Sequence, residues 1–280
     1  LKRQIIRLLD AQGNSTITEI SLHIANSVPK TTSLVNELVA DGLLCEYGKE
    51  DSTGGRKASL FGLVAESGYF LGVDVRRYYI NIGLLDFKRS VVKLKEKVPF
   101  ELANTAASYQ DLIKVILDFI SVLEVEKQLI LAAGINLSGR VNRSTGHSYS
   151  YYHFNEEPLS NALSRETGIP VFLENDSRAM AFGEFFGTGT LQASNALFLN
   201  LDYGTGMGIM IDGKMYYGKS GFSGEIGHVP MFDNEIICSC GKKGCLETEA
   251  SGWALLRNFR QRIQAGVSTI LNTGSGEAPG

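Results

Sequence analysis

Apolar residues in the first 64 positions recur every three to four residues in three short segments, which is the spacing of amphipathic helices. Gly13 and Gly42 follow the first and third segments, in the place where helices commonly end. The third segment begins at Val28-Pro29, and proline is tolerated in a first helical turn. The pattern therefore predicts helices over 1–12, 17–26 and 28–40, followed by a β-hairpin over 43–47 and 59–63.

This order of elements is typical of a winged helix-turn-helix, whose third helix enters the DNA major groove with its N-terminal residues nearest the bases. The candidate base contacts are the hydrogen-bonding residues near the start of that helix: Lys30, Thr31, Thr32, Ser33 and Asn36. The hairpin tip adds Arg56 and Lys57 as candidates for phosphate or minor-groove contacts. Residues 1–64 hold seven Lys and Arg against seven Asp and Glu, so their net charge is zero. A helical domain used for dimerisation or protein contacts is therefore the alternative.

From residue 69 the pattern changes to buried strands that alternate with amphipathic helices. Predicted strands cover 69–75, 78–86, 91–100, 129–137, 171–173, 196–202 and 208–211, and predicted helices cover 111–123, 159–167 and 179–186. A strand meander followed by alternating helices and strands describes an α/β domain. We therefore predict a DNA-binding domain over 1–64 and an α/β domain over 69–280.

Composition and charge exclude several classes of protein. The chain has 280 residues, of which 44% are hydrophobic and 20% charged, as in a globular protein of two domains. Its net charge of −3 gives no whole-chain basic signal for nucleic acid. The longest apolar run, 129–135, is far shorter than the ~20 residues of a membrane span. The first ten residues are amphipathic rather than a signal-peptide core, so we expect a cytoplasmic protein without membrane partners.

Three of the four cysteines form a cluster that indicates a metal site. Cys238, Cys240 and Cys245 follow His228 within a short loop, which we place at 228–245. In a reducing compartment such a cluster indicates metal binding rather than disulfides. Three thiolates and one imidazole are the usual ligands of a closed tetrahedral zinc site, which is structural because no coordination position stays open. The alternative is a loop with three unpaired thiols.

A glycine-rich turn joins two of the predicted strands. It contains Gly204, Thr205, Gly206 and Gly208. Such a turn can expose backbone amides that cradle a phosphate. Glycine-rich hairpins are also common without any ligand, so both interpretations stay open here.

Two polar residues, Asn175 and Asp176, follow the predicted strand 171–173. The carboxyl ends of strands are where α/β domains bind ligands. Asp176 is a candidate general base toward a hydroxyl group. Capping of the following helix by Asn175 or Asp176 is the alternative.

Two glutamates flank the predicted metal ligands. Glu225 lies three residues before His228, and Glu247 lies two residues after Cys245. A bound metal would therefore hold both carboxylates close to the same loop. Paired acceptors of this kind suit a polyol ligand with several hydroxyl groups. A surface salt bridge is the alternative.

Together these motifs resemble the ROK family of sugar kinases and sugar-responsive repressors, over nearly the whole chain. The most specific pieces are Gly224-Glu-Ile-Gly-His228, Cys238-x-Cys-Gly-x-x-Gly-Cys245-x-Glu247 and Glu174-Asn-Asp176. The predicted winged helix, with Gly54-Gly55-Arg56 in its wing, is similar to the repressor branch. The resemblance implies an α/β protein with a winged helix-turn-helix before an actin-like ATPase domain of the ribonuclease H-like, sugar-kinase type. The family's later helices have no counterpart, so we expect a C-terminally incomplete domain.

Carried over residue by residue, the resemblance implies sugar contacts from Asn175, Asp176, Glu225, His228 and Glu247, with His228 also binding zinc. In the kinases the aspartate at position 176 is the catalytic base, and 204–208 is the second phosphate-binding segment. The first such segment, Asp-x-Gly-Gly-Thr in the kinases, reads Asp74-Val75-Arg76-Arg77-Tyr78 here. Without the two glycines, backbone amides approach a phosphate poorly, which argues against ATP as a cofactor.

Three functions fit these observations. The first is a sugar-responsive transcriptional repressor that binds operator DNA as a homodimer and takes a sugar or sugar phosphate as effector, with pairing into tetramers left open. The second is an ATP-dependent hexose kinase with a vestigial DNA-binding unit. The third is a sugar-binding module that assembles with other proteins. We favour the first because the altered segment at 74–78 opposes phosphoryl transfer.

Overall fold

The computed structural model of the chain describes residues 1–49, 58–154, 156–187 and 194–270. The predicted hairpin-tip residues Arg56 and Lys57 lie outside these described residues. The chain divides into two compact units, one of 1–139 with 145–174 and the other of 140–144 with 175–280. Within the described residues, no helix is both long enough and apolar enough to span a bilayer.

The first 63 residues form what we call the N-terminal module, which belongs to the first unit. Its elements are α1 (Lys2–Gln12), β1 (Ser15–Thr16), α2 (Ile17–His23), α3 (Val28–Ala40), β2 (Leu44–Lys49) and β3 (Ser59–Leu63). The strands form an antiparallel sheet in the order β1-β3-β2. The predicted helices and hairpin strands are confirmed. The sequence did not predict β1, because a strand of two residues has no alternation to detect.

Buried side chains from all three helices make the core of the N-terminal module, among them Ile5, Ile20 and Val35. Thr16 caps α2 through a reciprocal capping box, in which Thr16 Oγ1 accepts from Glu19 N at 3.2 Å. Glu19 Oε2 in return accepts from Thr16 N at 2.7 Å. A cap of this kind stabilises a helix by about 1 kcal/mol, which matters for a helix of only seven residues.

The middle of the chain contributes a five-stranded sheet and two helices. Its elements are β4 (Tyr69–Val75), β5 (Tyr79–Asp86), β6 (Val91–Pro99), α4 (Ala106–Ser121), β7 (Ile130–Leu137), β8 (Val141–Asn142), β9 (His147–Ser148), α5 (Leu159–Thr167) and β10 (Val171–Asn175). Five strands form one sheet in the order β10-β7-β4-β5-β6. Strand β4 runs antiparallel to β5 and parallel to β7, with Val73 opposite Ile135. The mixed α/β architecture predicted from the sequence is confirmed.

Helix α4 begins five residues before its predicted start at Asp111. Thr105 supplies the cap, since its side chain accepts from Ser108 N at 3.2 Å. The first turn that follows carries small and polar side chains, so the spacing of apolar residues did not reveal it. The predicted inward face is confirmed, because Leu112 and Ile116 are buried.

The turn between β5 and β6 docks the N-terminal module onto the rest of the first unit. Phe87 packs against the core of the module. Lys88 Nζ lies 4.3 Å from the centroid of the Tyr47 ring and donates to Tyr47 Oη at 2.8 Å. Arg89 Nε lies 3.0 Å from Asp10 Oδ1. The module is thus held by side-chain contacts as well as by its connecting chain.

Replacing Lys88 and Arg89 together by alanine is expected to loosen this docking without unfolding the module. Exposed ion pairs and cation–π contacts contribute about 1 kcal/mol in total, or about fivefold in an opening equilibrium. Amide hydrogen exchange of residues 58–68 and 86–90 measures the effect. Lys93→Ala is the matched control, because Lys93 Nζ donates to Val122 O away from the module. Equal exchange in all three proteins would contradict the docking role.

The second unit is built on a smaller antiparallel sheet. Its elements are α6 (Asp176–Gly187), β11 (Ala196–Leu201), β12 (Thr205–Ile211), β13 (Lys214–Met215) and α7 (Gly252–Gln264), and the sheet order is β11-β12-β13. The sequence did not predict α7, in which Ala254 is buried and Leu255 is 73% exposed. Ser251 starts this helix by accepting from Ala254 N at 3.1 Å.

Candidate functional site

The start of α6 fixes the two polar residues predicted at the end of a strand. Asn175 is buried and caps the helix, because its Oδ1 accepts from Arg178 N at 3.1 Å. Its Nδ2 donates to Asp176 Oδ1 at 2.9 Å, and Ser177 N donates to the same oxygen at 2.7 Å. The capping alternative is therefore confirmed for Asn175. The same bonds hold the Asp176 carboxylate in one orientation at the helix N-terminus.

Glu225 lies beside this helix start, next to a histidine and an arginine side chain. Its Oε2 is 3.8 Å from His228 Nε2, and its Oε1 is 4.0 Å from Arg178 Nη1. Burial raises the pKa of Glu225, while the charges of His228 and Arg178 act against that rise. Gly224 makes the approach possible, with a φ of +83° and Met207 O only 1.9 Å from the place of a Cβ. Only glycine fits that position.

The predicted metal ligands converge on one point of the second unit. The ligand atoms of His228, Cys238 and Cys240 all lie within 4.8 Å of one another. Cys238 Sγ is 3.4 Å from His228 Nδ1, so the other ring nitrogen, Nε2, is the one that faces Glu225. The group is able to hold a metal ion, and the side chains present are thiols and an imidazole, the ligands that zinc prefers.

The fourth predicted ligand, Cys245, borders this group. Its Sγ lies 3.7 Å from Cys240 Sγ. A tetrahedral zinc with Zn–S bonds of about 2.3 Å sets two sulfur ligands about 3.8 Å apart, so this spacing fits one edge of such a site. Burial raises the pKa of Cys245 to about 12, and the thiols of Cys240 and Cys238 add to the rise. Several thiols this close together are expected to ionise together only when a cation lies between them.

Glu247 connects the cysteine loop to the glycine-rich turn. Its Oε2 accepts from Thr205 N at 3.0 Å, and its Oε1 accepts from Ser239 Oγ at 3.3 Å and lies 3.9 Å from Cys238 Sγ. The Thr205 amide predicted to face a phosphate thus donates to a carboxylate instead. An ionised carboxylate on that amide repels a phosphate in the same place.

Two of the predicted phosphate-loop glycines, Gly206 and Gly208, lie inside β12 and allow it to touch α6. A Cβ on Gly206 would meet Ser177 Oγ at 2.1 Å, and one on Gly208 would meet Ala181 Cβ at 2.2 Å. A side chain on either residue has no room. Close packing of a strand on a helix therefore accounts for these two glycines without a ligand.

Gly208→Ala is expected to destabilise the protein by about 1–3 kcal/mol, because neither Ala181 nor the helix backbone can move aside cheaply. The midpoint of urea unfolding, followed by circular dichroism, measures the change. Gly183→Ala is the matched control, since nothing lies within 4 Å of a Cβ at that exposed position of α6. It is expected to stabilise the protein by up to about 1 kcal/mol. Two equal midpoints would contradict the packing argument.

The residues of α3 that were predicted to contact DNA differ in their exposure to solvent. Lys30, Ser33 and Asn36 are exposed, while Thr32 is half-buried and its Oγ1 donates to Val28 O at 2.8 Å. Thr31 is fully buried and its Oγ1 donates to Ser27 O at 3.0 Å. Because its side chain faces the core of the module, Thr31 is removed from the predicted interface.

The structure brings together the five residues predicted to bind sugar, all within the second unit: Asn175, Asp176, Glu225, His228 and Glu247. Arg178, the largest fully buried side chain among the described residues, was not predicted from the sequence. One feature of the sequence could have indicated it: Arg178 is the one basic residue of α6 and lies in the first turn of that helix. Asn200 was also missed, and its Nδ2 donates to Ser177 Oγ at 3.1 Å beside Asp176.

Comparison with known proteins decides the family. The model of the ROK family matches residues 70–274. The chain belongs to the ROK family. This ROK protein is 29% identical over 262 residues to the xylose repressor of Bacillus subtilis (strain 168), a match of 92% of this chain and 68% of that protein. It is 32% identical over 200 residues to the glucokinase of Streptomyces coelicolor, covering 71% of this chain and 61% of the glucokinase.

Among solved structures, a ROK family transcriptional regulator described as a homologue of the Escherichia coli MLC protein matches with a TM-score of 0.77 at 25% identity. That match covers 99% of this ROK protein and 70% of the regulator. It therefore extends through the N-terminal module. The glucokinase match covers 71% of the chain. That share is about equal to the share covered by residues 70–274, which the ROK model matches.

Proposed function

We propose that this protein is a sugar-responsive transcriptional repressor. The observation that carries the proposal is the extent of the matches, because the repressor and regulator matches include the N-terminal module. Residues 70–280 make up about three quarters of the chain, so a match of 92% or 99% must reach into the first 69 residues. A sugar kinase has no need of that module, whereas a regulator needs a part that binds DNA.

The N-terminal module is the DNA-binding part in this proposal, as a winged helix-turn-helix over 1–64. Helix α3 enters the major groove and presents Lys30, Ser33 and Asn36, which are exposed on it. An asparagine reads adenine through two hydrogen bonds, while lysine contacts guanine or phosphate. Two half-sites need two recognition helices, so the repressor acts as a homodimer.

The effector in this proposal is a sugar held by the second unit. Asp176 and Glu225 supply carboxylate oxygens, Asn175 supplies an amide, and His228 supplies its Nε2 edge. A polyhydroxy compound offers many hydroxyl donors, and bonds to charged acceptors are stronger than neutral ones. By linkage, a sugar that weakens operator affinity is itself bound more weakly when the operator is present.

Zinc is the metal in this proposal, held by His228, Cys238, Cys240 and Cys245 as a structural site. When bound, it supplies a cross-link rather than chemistry, because all four ligands come from protein. His228 then has Nδ1 directed to the metal and Nε2 directed to Glu225. The residues of the loop thereby acquire one orientation toward the sugar site.

The kinase alternative rests on Asp176 and on the glucokinase match. Two contacts oppose it. Arg76 Nε lies 2.8 Å from Asp74 Oδ2 in the altered first phosphate segment, and Glu247 occupies the Thr205 amide of the second. Release of ADP from ATP with xylose, glucose and N-acetylglucosamine tests this alternative, with Asp176→Asn as control. Turnover that disappears in the control would establish a kinase.

Selection from a random pool of duplex DNA, at one fixed moderate salt concentration, tests the repressor proposal. Salt is fixed because phosphate contacts make affinity depend steeply on it. We expect an enriched palindrome whose half-sites lie about one helical turn apart. Loss of binding with one sugar of a panel of xylose, glucose and N-acetylglucosamine then identifies the effector. A folded protein that enriches no sequence would overturn the proposal.

A further inference from the structure

Arg178 is the largest fully buried side chain among the described residues, and only 1% of it is exposed. An arginine carries its charge at every physiological pH and has five N–H donors to satisfy. Arginine is rarely buried this deeply without partners that compensate its charge and hydrogen bonds. The groups around its guanidinium therefore indicate what the residue is for.

The guanidinium connects α6 to two other segments of the second unit. Nη2 donates to Val141 O at 3.0 Å, and Nη1 donates to Ser223 O at 3.4 Å. The two carbonyls are neutral and satisfy donors without compensating charge. The carboxylate of Glu225 is an anionic group beside it, with Oε1 at 4.0 Å from Nη1. The Tyr217 ring lies alongside, with its centroid 6.0 Å from Cζ.

The main chain of the same residue touches the other half of the sugar site. Arg178 N donates to Asn175 Oδ1 at 3.1 Å, and Asn175 Nδ2 donates to Asp176 Oδ1 at 2.9 Å. Arg178 is thus bonded to the Asn175–Asp176 pair through its backbone and adjoins Glu225 through its side chain. These two groups of acceptors are about fifty positions apart in the sequence.

We propose that Arg178 is a positioning residue of the effector site, which sets the Glu225 carboxylate at a fixed distance and orientation from Asp176. This inference rests on the proposed sugar-binding function. In this role Arg178 acts through Glu225 rather than on the ligand, since only 1% of its side chain is exposed. A planar fork of donors suits this role, since it reaches the two carbonyls and the carboxylate together. A lysine ammonium, a point charge on a flexible stem, does not span the same groups.

The test uses the full chain, with calorimetric titration of xylose, glucose and N-acetylglucosamine in turn. For a sugar that binds the unaltered protein, Arg178→Lys is expected to weaken affinity about 10-fold and Arg178→Ala at least about 30-fold. Zinc content and operator affinity without sugar are expected to stay unchanged. Arg262→Lys is the matched control, because Arg262 is exposed on α7.

Chemical rescue separates positioning from a general loss of structure. Millimolar guanidinium is expected to restore part of the sugar affinity of Arg178→Ala and to leave the unaltered protein unchanged, while ammonium at equal ionic strength restores nothing. Guanidinium at this concentration changes the free energy of unfolding very little and does not stabilise folded proteins, so a variant that is merely loosened would bind sugar no better in it. An absence of rescue in a folded variant would overturn the inference.

A double variant keeps the inference testable where Arg178→Ala does not fold. If Arg178 acts through Glu225, Arg178→Lys is expected to cost little affinity in a Glu225→Gln background, so the two losses do not multiply. Fully multiplicative losses would overturn the positioning role. If the unaltered protein binds none of the sugars, the proposed function fails. If it binds one and Arg178→Lys binds equally well, this inference fails and the proposed function stands.

Discussion

Replacing Cys240 by serine is expected to remove zinc from the protein and sugar binding with it. Cys240 Sγ lies 3.7 Å from Cys245 Sγ and belongs to the group of ligand atoms with His228 and Cys238. A serine hydroxyl is not ionised at neutral pH and is a poor zinc ligand compared with a thiolate. Three remaining ligands would leave an open position, and the site would lose its structural character.

The consequence for the sugar follows from the irregular structure of the cysteine loop, which is held by turns and single backbone hydrogen bonds rather than by regular elements. Within the described residues, 229–245 contains no helix and is joined by isolated β-bridges, Pro230 with Cys245 and Ile237 with Lys243. Structural zinc contributes about 10–16 kcal/mol of binding free energy in small zinc domains, which is folding free energy for the segment it holds. Without the metal, His228 Nδ1 loses its partner in the cysteine cluster, so the ring edge that faces Glu225 is no longer held in one orientation and the acceptors for sugar lose their arrangement.

Metal content by atomic emission, thermal unfolding and sugar titration measure this prediction together. We expect zinc to fall from one per chain to near zero, the unfolding temperature to fall, and sugar affinity to fall below detection. Cys45→Ser is the matched control, because Cys45 is a half-buried thiol of β2 in the N-terminal module. Unchanged sugar affinity in a zinc-free Cys240→Ser protein would separate the metal from the effector site. Retained zinc would exclude Cys240 as a ligand.

Asp176→Asn is expected to weaken effector affinity about 10- to 150-fold while operator affinity without sugar stays the same. Asp176 Oδ1 accepts from Ser177 N and Asn175 Nδ2, and an asparagine oxygen can accept those two bonds as well. The substitution therefore preserves the start of α6. It removes the negative charge and turns one acceptor into a donor, and a hydrogen bond to a charged group contributes about 1.5–3 kcal/mol.

The measurement is release of a fluorescent operator duplex as sugar is added. The midpoint of release is expected to move to higher sugar concentration by the same factor as the affinity falls, since the coupling between the two sites is unaltered. Asp212→Asn is the matched control, because Asp212 is exposed in the turn after β12 and its φ of +50° suits asparagine. An unmoved midpoint in Asp176→Asn would remove Asp176 from the effector site.

The bounds of helices and strands were predicted correctly from the sequence where one face of the element carries the apolar residues. Helix α3 and strand β4 were predicted within one residue of their observed bounds, because their buried positions follow the helical and strand periods. The bounds were wrong, or the element was not predicted, where the periodic spacing of apolar residues is weak. The first turn of α4 is small and polar, and β1 has only two residues. Those elements are held by a cap and by pairing with β3, and neither is encoded in periodicity.

For the candidate site, spacing along the chain predicts a set of residues but does not assign their partners. The grouping of His228, Cys238 and Cys240 requires only local chain reversal, so the sequence predicts it. The roles of Glu247 and Gly208 are different. Glu247 bonds the Thr205 amide 42 positions away, and Gly208 is a glycine because α6 packs against it. Contacts of that range depend on how elements pack, which no local pattern records.

The sequence by itself determined the types of most elements, the grouping of His228, Cys238 and Cys240, and membership of the ROK family, because each depends on residues close together in the chain. Only the tertiary structure decided that Thr31 faces the core and that Arg178 adjoins Glu225 from a helix about fifty positions earlier. A buried charge such as Arg178 is costly anywhere except where separate segments converge on it with the right partners. Its position is therefore fixed by the packed fold rather than by its neighbours in sequence.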